Sequence, residues 1–366
     1  MVTVKTSLLQ SMVAKAIKGA ANNKMLPLTS MVAIASTPST ETGKTLLSMC
    51  TTDSTNYLYI SEKIDLIDDI YVVVPVEQFS KLISKLTSED VSLELSDNAL
   101  HIVGDGSYRI ELPLNEEGNP VRFPNPMADL FYNSNHKIKL ADIKSTLAHN
   151  KASLSLDNDI PCYTGYYMDK DGVLTTDSLS MCENKVELFD EPVLLSRELI
   201  DLLDLFDSED IDVYDAGSNL VFTSPNCTVF GAKRLQSELE EFNVEVLKNL
   251  ISQEFTSKVV VHKNELLNAL DRISLFVGKY DKNKIKLHFD TGAVVISSVA
   301  TSGVEHITYI RTENVKEFDC SIDIELFMSQ LKTLTSDEVE LWYGGDKAIK
   351  LVEGDITHIL ALDEEE

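Results

Sequence analysis

The residues best able to do chemistry in this sequence are its seven histidines, five cysteines and 59 carboxylates. The histidines are scattered, and no HExxH pair offers the spacing of zinc ligands on a helix. The cysteines are odd in number and include no CxxC pair, which favours buried thiols over zinc or disulfides. Neither GxSxG nor GxGxxG occurs. The sequence therefore predicts a protein that is not an enzyme and that needs no metal or cofactor.

Two short motifs look chemical but are better explained as turns. Gly43-Lys44-Thr45 matches the end of a phosphate-binding loop, yet Pro38 stands where the loop needs its first glycine, so we predict a hairpin loop. Asp53 and Asp177 each follow a threonine at matching hairpins. That pattern indicates turn formation by the aspartate side chain and gives no support for catalysis.

Basic residues on predicted helices could bind phosphate. A net charge of −27 would repel nucleic acid if it were spread evenly, but the first acidic residue is Glu41 and four lysines precede it. Lysines on one helix face give a sequence-independent attraction to phosphates. The helix at 196–206 is the exception, because carboxylates outnumber Arg197. The candidate DNA-binding residues are Lys15, Lys18, Lys24, Lys81, Lys85, Lys144, Lys151, Arg197, Lys263, Arg272 and Lys332.

A threefold repeat predicts the elements that position these side chains. Residues 72–112, 193–235 and 319–362 each read as a strand, a helix with apolar residues at i, i+3, i+4 and i+7, and three strands. The aligned helices place Phe79 with Leu199 and Phe327, Ile83 with Leu203 and Leu331, and Leu86 with Phe206 and Leu334. Only the position of Leu82, Leu202 and Gln330 breaks the pattern. The copies begin about 120–130 residues apart, so we expect each to be half of a domain.

The chain length and two linker-like stretches predict three domains. A chain of 366 residues is too long for one core, and no apolar run is long enough to span a membrane. A Pro- and Asn-rich stretch at 114–135 and a strongly acidic stretch at 236–257 mark the boundaries. We expect domains at 1–125, 126–245 and 246–366, each with two strand–helix–three-strand units, and an α+β fold class.

This layout resembles the bacterial DNA polymerase III beta subunit, or beta sliding clamp, family. Residues 25–34 (MLPLTSMVAI) are similar to a family strand with Leu-Pro, and residues 46–60 resemble its Thr-Asp hairpin. Residues 164–181 (TGYYMDKDGVLTTDSLSM) are similar to a family stretch that runs from a glycine to a second Thr-Asp. The resemblance covers nearly the whole chain and depends mainly on its three-part layout.

Three departures mark the chain as a divergent member. Residues 178–181 (SLSM) replace a family Gly-His-Arg-Leu, and residues 239–242 (LEEF) replace a Phe-Pro-Asp-Tyr segment. The apolar C-terminus of the family is replaced by Ile359-Leu360-Ala361-Leu362 and an acidic tail. These changes concern partner recognition more than the fold.

The resemblance implies the DNA-clamp fold and its function. It implies a head-to-tail homodimer that forms a ring, with helices inside and sheets outside, around double-stranded DNA of any sequence. This processivity factor tethers the replicative DNA polymerase, acts in DNA replication, and is cytoplasmic and nucleoid-associated with no membrane contact. The implied dimer interface involves Tyr108, Ile110, Leu275 and Phe276.

The resemblance also implies a cleft for short peptide motifs of the polymerase and the clamp loader. Its residues would be Tyr163, Thr176, Ser178, Leu179, Met181, Phe242, Val244, Ile359, Leu360 and Leu362. Two alternatives stay open: an acidic DNA mimic that blocks another protein, and a repeat-built scaffold that does not encircle DNA. The mimic predicts that no helix has a basic face, and the acid-free first 40 residues count against this alternative.

Overall fold

The computed structural model describes residues 1–38, 45–65, 69–124, 135–157, 159–233, 236–277, 283–298, 305–312, 315–345 and 347–363. The predicted loop at Gly43-Lys44, the boundary between residues 125 and 126 and the acidic end at 364–366 lie outside these residues. The chain forms two compact units. Unit 1 comprises Met1–Ala141 and Glu198–Lys233, and unit 2 comprises Asp142–Arg197 and Arg234–Glu366.

Two strand–helix–three-strand modules occupy the first part of the chain, as the sequence predicts. The first consists of β1 (Val2–Lys5), α1 (Thr6–Ala16), β2 (Met31–Pro38), β3 (Thr45–Thr52) and β4 (Tyr57–Ile64). The second consists of β5 (Tyr71–Pro75), α2 (Val76–Ile83), β6 (Asp90–Ser96), β7 (Ala99–Val103) and β8 (Ser107–Glu111). Short 3₁₀ segments follow α1 at Ile17–Gly19 and precede β2 at Pro27–Ser30.

The middle of the chain repeats the same order. One module consists of β9 (Asn135–Lys139), α3 (Leu140–Asn150), β10 (Gly165–Asp169), β11 (Gly172–Thr176) and β12 (Ser180–Asn184). The next consists of β13 (Val193–Ser196), α4 (Arg197–Leu203), β14 (Asp210–Asp215), β15 (Asn219–Thr223) and β16 (Cys227–Ala232). Two 3₁₀ segments, Lys151–Ser153 and Pro161–Thr164, lie between α3 and β10.

Two helices, α5 (Gln236–Glu241) and α6 (Val244–Ser252), precede the last pair of modules. The fifth module consists of β17 (Ser257–His262), α7 (Lys263–Ser274), β18 (Lys284–Asp290), β19 (Ala293–Ser298) and β20 (Ile307–Arg311). The sixth consists of β21 (Phe318–Asp323), α8 (Ile324–Thr333), β22 (Glu338–Tyr343), β23 (Ala348–Glu353) and β24 (Ile356–Ala361). The α+β fold class and the six-module order are therefore confirmed.

Each unit contains one four-stranded and one eight-stranded antiparallel sheet. Unit 1 has the strand orders β1-β6-β7-β8 and β5-β2-β3-β4-β16-β15-β14-β9. Unit 2 has the orders β13-β10-β11-β12-β24-β23-β22-β17 and β20-β19-β18-β21. The strands of the predicted second domain are thus shared between the two units, and the boundaries of the three predicted domains stay a prediction.

The predicted helix faces form the core of the modules. All nine aligned positions are buried, with Phe79, Leu199 and Phe327 fully inaccessible to solvent. This burial of large apolar side chains explains why the i, i+3, i+4, i+7 spacing folds as a helix against a sheet. At the position that breaks the pattern, Gln330 is as inaccessible as its apolar neighbours.

Candidate functional sites

The hairpin between β11 and β12 has an exposed leucine at its tip. The Thr176 hydroxyl donates to the Ser180 carbonyl oxygen at 2.8 Å. The Asp177 Oδ1 atom accepts from the amides of Leu179 and Ser180 at 2.9 and 2.6 Å. Ser178 takes a positive φ of 78°, and Leu179 is left 61% exposed. The turn role predicted for Asp177 is confirmed.

The equivalent hairpin of unit 1 has the same chemistry. The Thr52 hydroxyl donates to the Asn56 carbonyl oxygen at 2.6 Å. The Asp53 Oδ1 atom accepts from the amides of Thr55 and Asn56 at 2.8 and 2.7 Å. Ser54 takes a positive φ of 90°. The repeat therefore preserves the backbone of this turn in both units.

An apolar cluster, here called the cleft cluster, lies beside the Thr176–Ser180 hairpin in unit 2. Met181 and Ile359 are register partners in the pairing of β12 with β24. Phe242 stacks on Tyr167 at a ring distance of 5.2 Å, and Tyr163 meets Phe242 edge-on at 5.9 Å. The buried members are Cys162, Tyr167, Leu174, Met181, Leu194, Phe242, Leu247, Ala348 and Ile359, with Tyr163, Leu239, Val244, Ile251 and Phe255 packed against them.

Helices α5 and α6 form one wall of the cleft cluster, where the sequence predicts only an acidic linker. The Asn243 side chain caps α6 by accepting from the Val246 amide at 3.3 Å. Lys248 pairs with Asp171 at 2.6 Å, an interaction that raises the pKa of Lys248 and lowers that of Asp171. These contacts fix α6 against the β10–β11 hairpin.

The structure brings most of the predicted cleft residues together. Tyr163, Met181, Phe242, Val244 and Ile359 belong to the cleft cluster. Thr176, Ser178 and Leu179 form the hairpin beside it.

Two predicted cleft residues lie elsewhere. Leu360 and Leu362 pack into the core beneath the opposite face of the sheet. Successive residues of a strand alternate between the faces, so Ile359 and Leu360 cannot both line one cleft. We therefore leave Leu360 and Leu362 out of the site. Sequence reasoning also missed Leu247 and Ile251 of the cleft cluster, because it did not predict helix α6, on which they lie.

In unit 1, four of the predicted DNA-binding lysines lie on or directly after two neighbouring helices. The Gln10 side-chain amide donates to the carbonyls of Ile83 and Leu86, which joins α1 to α2 and the turn after it. Lys15 lies on α1 and Lys18 directly after it, while Lys81 lies on α2 and Lys85 directly after it. A groove of about 180 Å³ between the two helices is lined in part by Lys81.

The predicted DNA-binding residues differ in their surroundings. Lys15 pairs with Asp207, Lys81 pairs with Glu77 at 2.5 Å, and Lys263 donates to the Leu334 carbonyl at 2.9 Å. Exposed residues that lie outside α-helices are Lys18, Lys24, Lys85 and Lys151. Lys332 is exposed on α8, Lys144 is half-buried on α3, and Arg197 is half-buried at the start of α4.

The two predicted dimer surfaces contain edge strands. In unit 1, β8 is an edge strand with Tyr108 exposed, whereas Ile110 is only 2% exposed and packs within its own unit. In unit 2, Leu275 and Phe276 are 80% and 50% exposed and lie after α7. Phe276 stacks on His306 at 3.8 Å, directly before the edge strand β20. Ile110 therefore cannot contribute a free side chain to an interface.

The edge strand β20 adds residues that the sequence prediction missed. Ile307 and Tyr309 are 61% and 58% exposed on this strand. Arg272, a predicted DNA-binding residue, donates to the Thr308 hydroxyl at 3.0 Å and so lies against the same strand. Ile307 and Tyr309 are alternate residues of β20 and so lie on the same side of the strand. The sequence would have identified both as interface candidates if β20 had been recognised as an edge strand.

In the described part of the chain, no group of three or more His, Cys, Asp or Glu residues could hold a metal ion. The five cysteines are buried and form no disulfide. Among the same described residues, no helix is both long and apolar enough to cross a bilayer.

Comparisons with known proteins agree with this geometry. Residues 248–355 match the family model for the DNA polymerase III beta subunit, C-terminal domain. The chain is 22% identical over 301 residues to the beta sliding clamp of Bacillus subtilis (strain 168), covering 75% of this chain and 74% of that protein.

Solved structures extend the similarity to the whole fold. The sliding clamp of B. subtilis superimposes with a TM-score of 0.85 at 17% identity, and the beta subunit of Thermotoga maritima with 0.83 at 16%, each over 100% of this chain and 99% of the other. A Pseudomonas aeruginosa sliding clamp bound to griselimycin gives 0.85 at 13% identity over 99% of both chains. The mimic and scaffold alternatives gain no support. The chain therefore has the fold of the bacterial DNA polymerase III beta subunits, and its residues 248–355 match the C-terminal domain of that family.

Proposed function

We propose that this chain is a DNA sliding clamp, in which two copies join head to tail around double-stranded DNA and tether the replicative polymerase. The observation that carries the proposal is the six-module fold, which matches a solved sliding clamp over 100% of this chain. In this ring, each copy contributes three domains, at 1–125, 126–245 and 246–366, with the helices inside and the sheets outside.

The DNA is held by topology, supported by weak attraction to phosphates. Lys18 and Lys85 are exposed next to the α1–α2 pair and are free to meet phosphates of any sequence. Lys15 and Lys81 are held by carboxylates in this structure, so their contribution depends on exchange of those partners. The net charge of −27 on each chain keeps DNA away from the remaining surface.

The ring closes where β8 of one copy meets β20 of the other. Each strand is at the edge of its sheet, so its unpaired backbone groups can extend the partner's sheet. Because each copy carries both edges, two identical contacts close the assembly. The exposed side chains of Tyr108, Leu275, Phe276, Ile307 and Tyr309 supply apolar area at these edges.

The polymerase and the clamp loader bind at the cleft cluster through short peptides with apolar ends. Leu179 at the hairpin tip and the partly exposed Tyr163 and Val244 form its accessible part. Burial of two apolar side chains of a peptide there supplies about 1.5–3 kcal/mol each. The clamp performs no catalysis, and it acts in the cytoplasm at the nucleoid, where its DNA substrate lies.

Retention on DNA circles tests the proposed encirclement. Rings are opened in mild denaturant, closed again in the presence of nicked circular DNA or the same DNA linearised, and separated by gel filtration. We expect the protein to stay with circles and to slide off linear DNA. Equal retention on both forms would refute encirclement, whatever the affinity.

Charge-reversal variants test the DNA-facing helices. Lys81→Glu with Lys85→Glu should shorten retention on circles at low salt, because both changes place carboxylates beside phosphate. Lys63→Glu with Lys286→Glu changes the net charge equally on exposed strand positions and is the matched control. Equal losses in the two variants would show that only net charge matters.

A leucine pair tests the cleft. Leu179→Asp should weaken binding of a synthetic peptide ending in Leu-Phe, while Leu156→Asp should leave it unchanged. Both leucines are exposed in unit 2, at 61% and 83%, so neither change removes a core residue. Leu360 is unsuitable for this test because it is fully buried in the core. Equal binding by the two variants would place the peptide elsewhere.

A further inference from the structure

One face of the eight-stranded sheet in unit 2 continues from the cleft cluster into a row of basic and aromatic side chains. Met181 pairs in register with Ile359, Ile359 with Lys350, Lys350 with Trp342, and Trp342 with Lys258. Register partners on neighbouring strands point to the same face of a sheet. The row therefore begins with two residues of the cleft cluster and ends with two lysines around the only tryptophan in the chain.

Ring contacts hold these lysines in place. The Lys350 Nζ atom lies 4.8 Å from the Phe255 ring centre and 5.1 Å from that of Trp342. The Lys258 Nζ atom lies 5.0 Å from the Trp342 ring centre. Phe255 also packs against the cleft cluster, so no gap separates the two surfaces. We call Phe255, Lys258, Trp342 and Lys350 the basic ledge.

The charges of the ledge are unequally compensated. Lys258 pairs with Glu340 at 2.7 Å, and the Trp342 indole N–H donates to the same carboxylate at 2.9 Å. Lys350 forms no salt bridge with a carboxylate within the described ranges; the residue is half-buried, and its ammonium group lies over two rings. Burial disfavours the charged form of Lys350 and lowers its pKa, although the charge of Glu340 opposes this shift. An incoming carboxylate would supply the partner it lacks.

We propose that the basic ledge binds acidic side chains of the same partner peptide whose apolar end occupies the cleft cluster. The inference rests on the proposed function of that cluster. Charge complementarity favours this occupant. A carboxylate beside Lys350 forms an ion pair next to the rings of Phe255 and Trp342, whereas the rest of a chain with net charge −27 repels a carboxylate. The ledge thereby selects among peptides with the same apolar end.

Three synthetic peptides test the selection. They share a Leu-Phe end and differ in a flanking pair that is Asp-Asp, Ala-Ala or Lys-Lys, and their affinities are measured by fluorescence anisotropy. We expect the Asp-Asp peptide to bind about fivefold more tightly than the Ala-Ala peptide, and the Lys-Lys peptide to bind most weakly. The preference for the Asp-Asp peptide should largely disappear near 1 M salt, where the Debye screening length is about 3 Å.

The tryptophan and two lysine variants localise the effect. Only the Asp-Asp peptide should shift the fluorescence emission of Trp342, since only its carboxylates bring negative charge next to the indole ring. Lys350→Met should abolish the preference and keep the affinity for the Ala-Ala peptide. Lys286→Met, an exposed lysine of β18, is the control that should preserve the preference.

The outcomes separate the ledge from the cleft. If all three peptides bind equally, or if Lys350→Met keeps the preference, the ledge is refuted while the cleft stands. If none of the peptides binds, the proposed peptide site itself fails, and the ledge fails with it. A preference that survives high salt would also contradict an electrostatic ledge.

Discussion

Replacement of Gln330 by leucine would restore the helix pattern that this residue breaks, yet we predict that it destabilises unit 2. The fully buried Gln330 amide donates to the Ala152 carbonyl at 3.1 Å and to the Ser180 hydroxyl at 3.0 Å. Its carbonyl oxygen accepts from the Ser153 hydroxyl at 3.1 Å. Gln330 thus connects α8 to the segment after α3 and to the hairpin beside the cleft cluster.

The magnitude follows from what the substitution leaves unpaired. Three lost hydrogen bonds cost about 3 kcal/mol at a net value of about 1 kcal/mol each. The Ser153 and Ser180 hydroxyls still have each other at 3.2 Å, but the Ala152 carbonyl loses its Gln330 partner. The leucine side chain recovers about 1 kcal/mol through its larger apolar surface. We therefore expect a net loss of about 2 kcal/mol in the free energy of unfolding of unit 2.

Urea unfolding followed at Trp342 measures this loss, because the only tryptophan of the chain lies in unit 2. With a slope of about 2 kcal/mol per molar urea, the midpoint should fall by about 1 M. Ser329→Ala is the control, since the Ser329 hydroxyl donates to the Leu326 carbonyl of its own helix. Hydrogen exchange at the amides of Leu179 and Ser180 should also accelerate in Gln330→Leu. A midpoint at or above that of the unchanged protein would refute the reasoning.

Three further predictions concern other buried or paired groups. Burial and the nearby His149 lower the pKa of His358 to about 3, although the charge of Glu353 acts in the opposite direction. Below about pH 6.5, the unfolded chain therefore binds a proton at His358 that the folded chain does not bind. Stability should fall by about 2 kcal/mol between pH 7 and pH 5, and His358→Gln should reduce that fall; an unchanged pH profile would contradict it. Burial raises the pKa of Cys50 to about 12, and all five cysteines are buried, so a thiol reagent at pH 8 should label them only after unfolding; rapid native labelling would count against this. Lys248→Ala should cost less than about 1 kcal/mol but speed hydrogen exchange in α6, and unchanged exchange would show that the ion pair does not hold the helix.

Sequence periodicity predicts the buried helix faces because the spacing of apolar residues along one helix is a local property of the sequence. Phe79, Ile83 and Leu86 stand at helical spacing in a single stretch, and each is buried where predicted. The same is true of the Thr-Asp hairpins, whose bonds join residues at most four positions apart. Such features need no information about distant segments.

Features that depend on distant contacts could not be predicted. Residues 236–257 look like an acidic linker, yet Phe242 and Leu247 find apolar partners on a sheet and α6 forms. The 3₁₀ segment Lys151–Ser153 follows Asn150, whose side-chain amide donates to the carbonyls of Val173 and Cys182, 23 and 32 positions away.

Long-range pairing also decides which side chains belong to the candidate site. The partners of Gln330 lie 150 to 178 positions away in sequence. Whether Ile359 or Leu360 faces the cleft depends on the pairing of β12 with β24, which no local pattern reveals. The sequence therefore predicts the composition of the site better than its geometry.

The central claim is that two copies of this chain close into a ring around DNA. Native mass spectrometry at micromolar concentration, followed by electron microscopy of the same sample, tests it most directly. We predict twice the chain mass of 40.7 kDa and particles with a central opening wide enough for a DNA duplex. A monomer at that concentration, or a dimer with no opening, would contradict the claim.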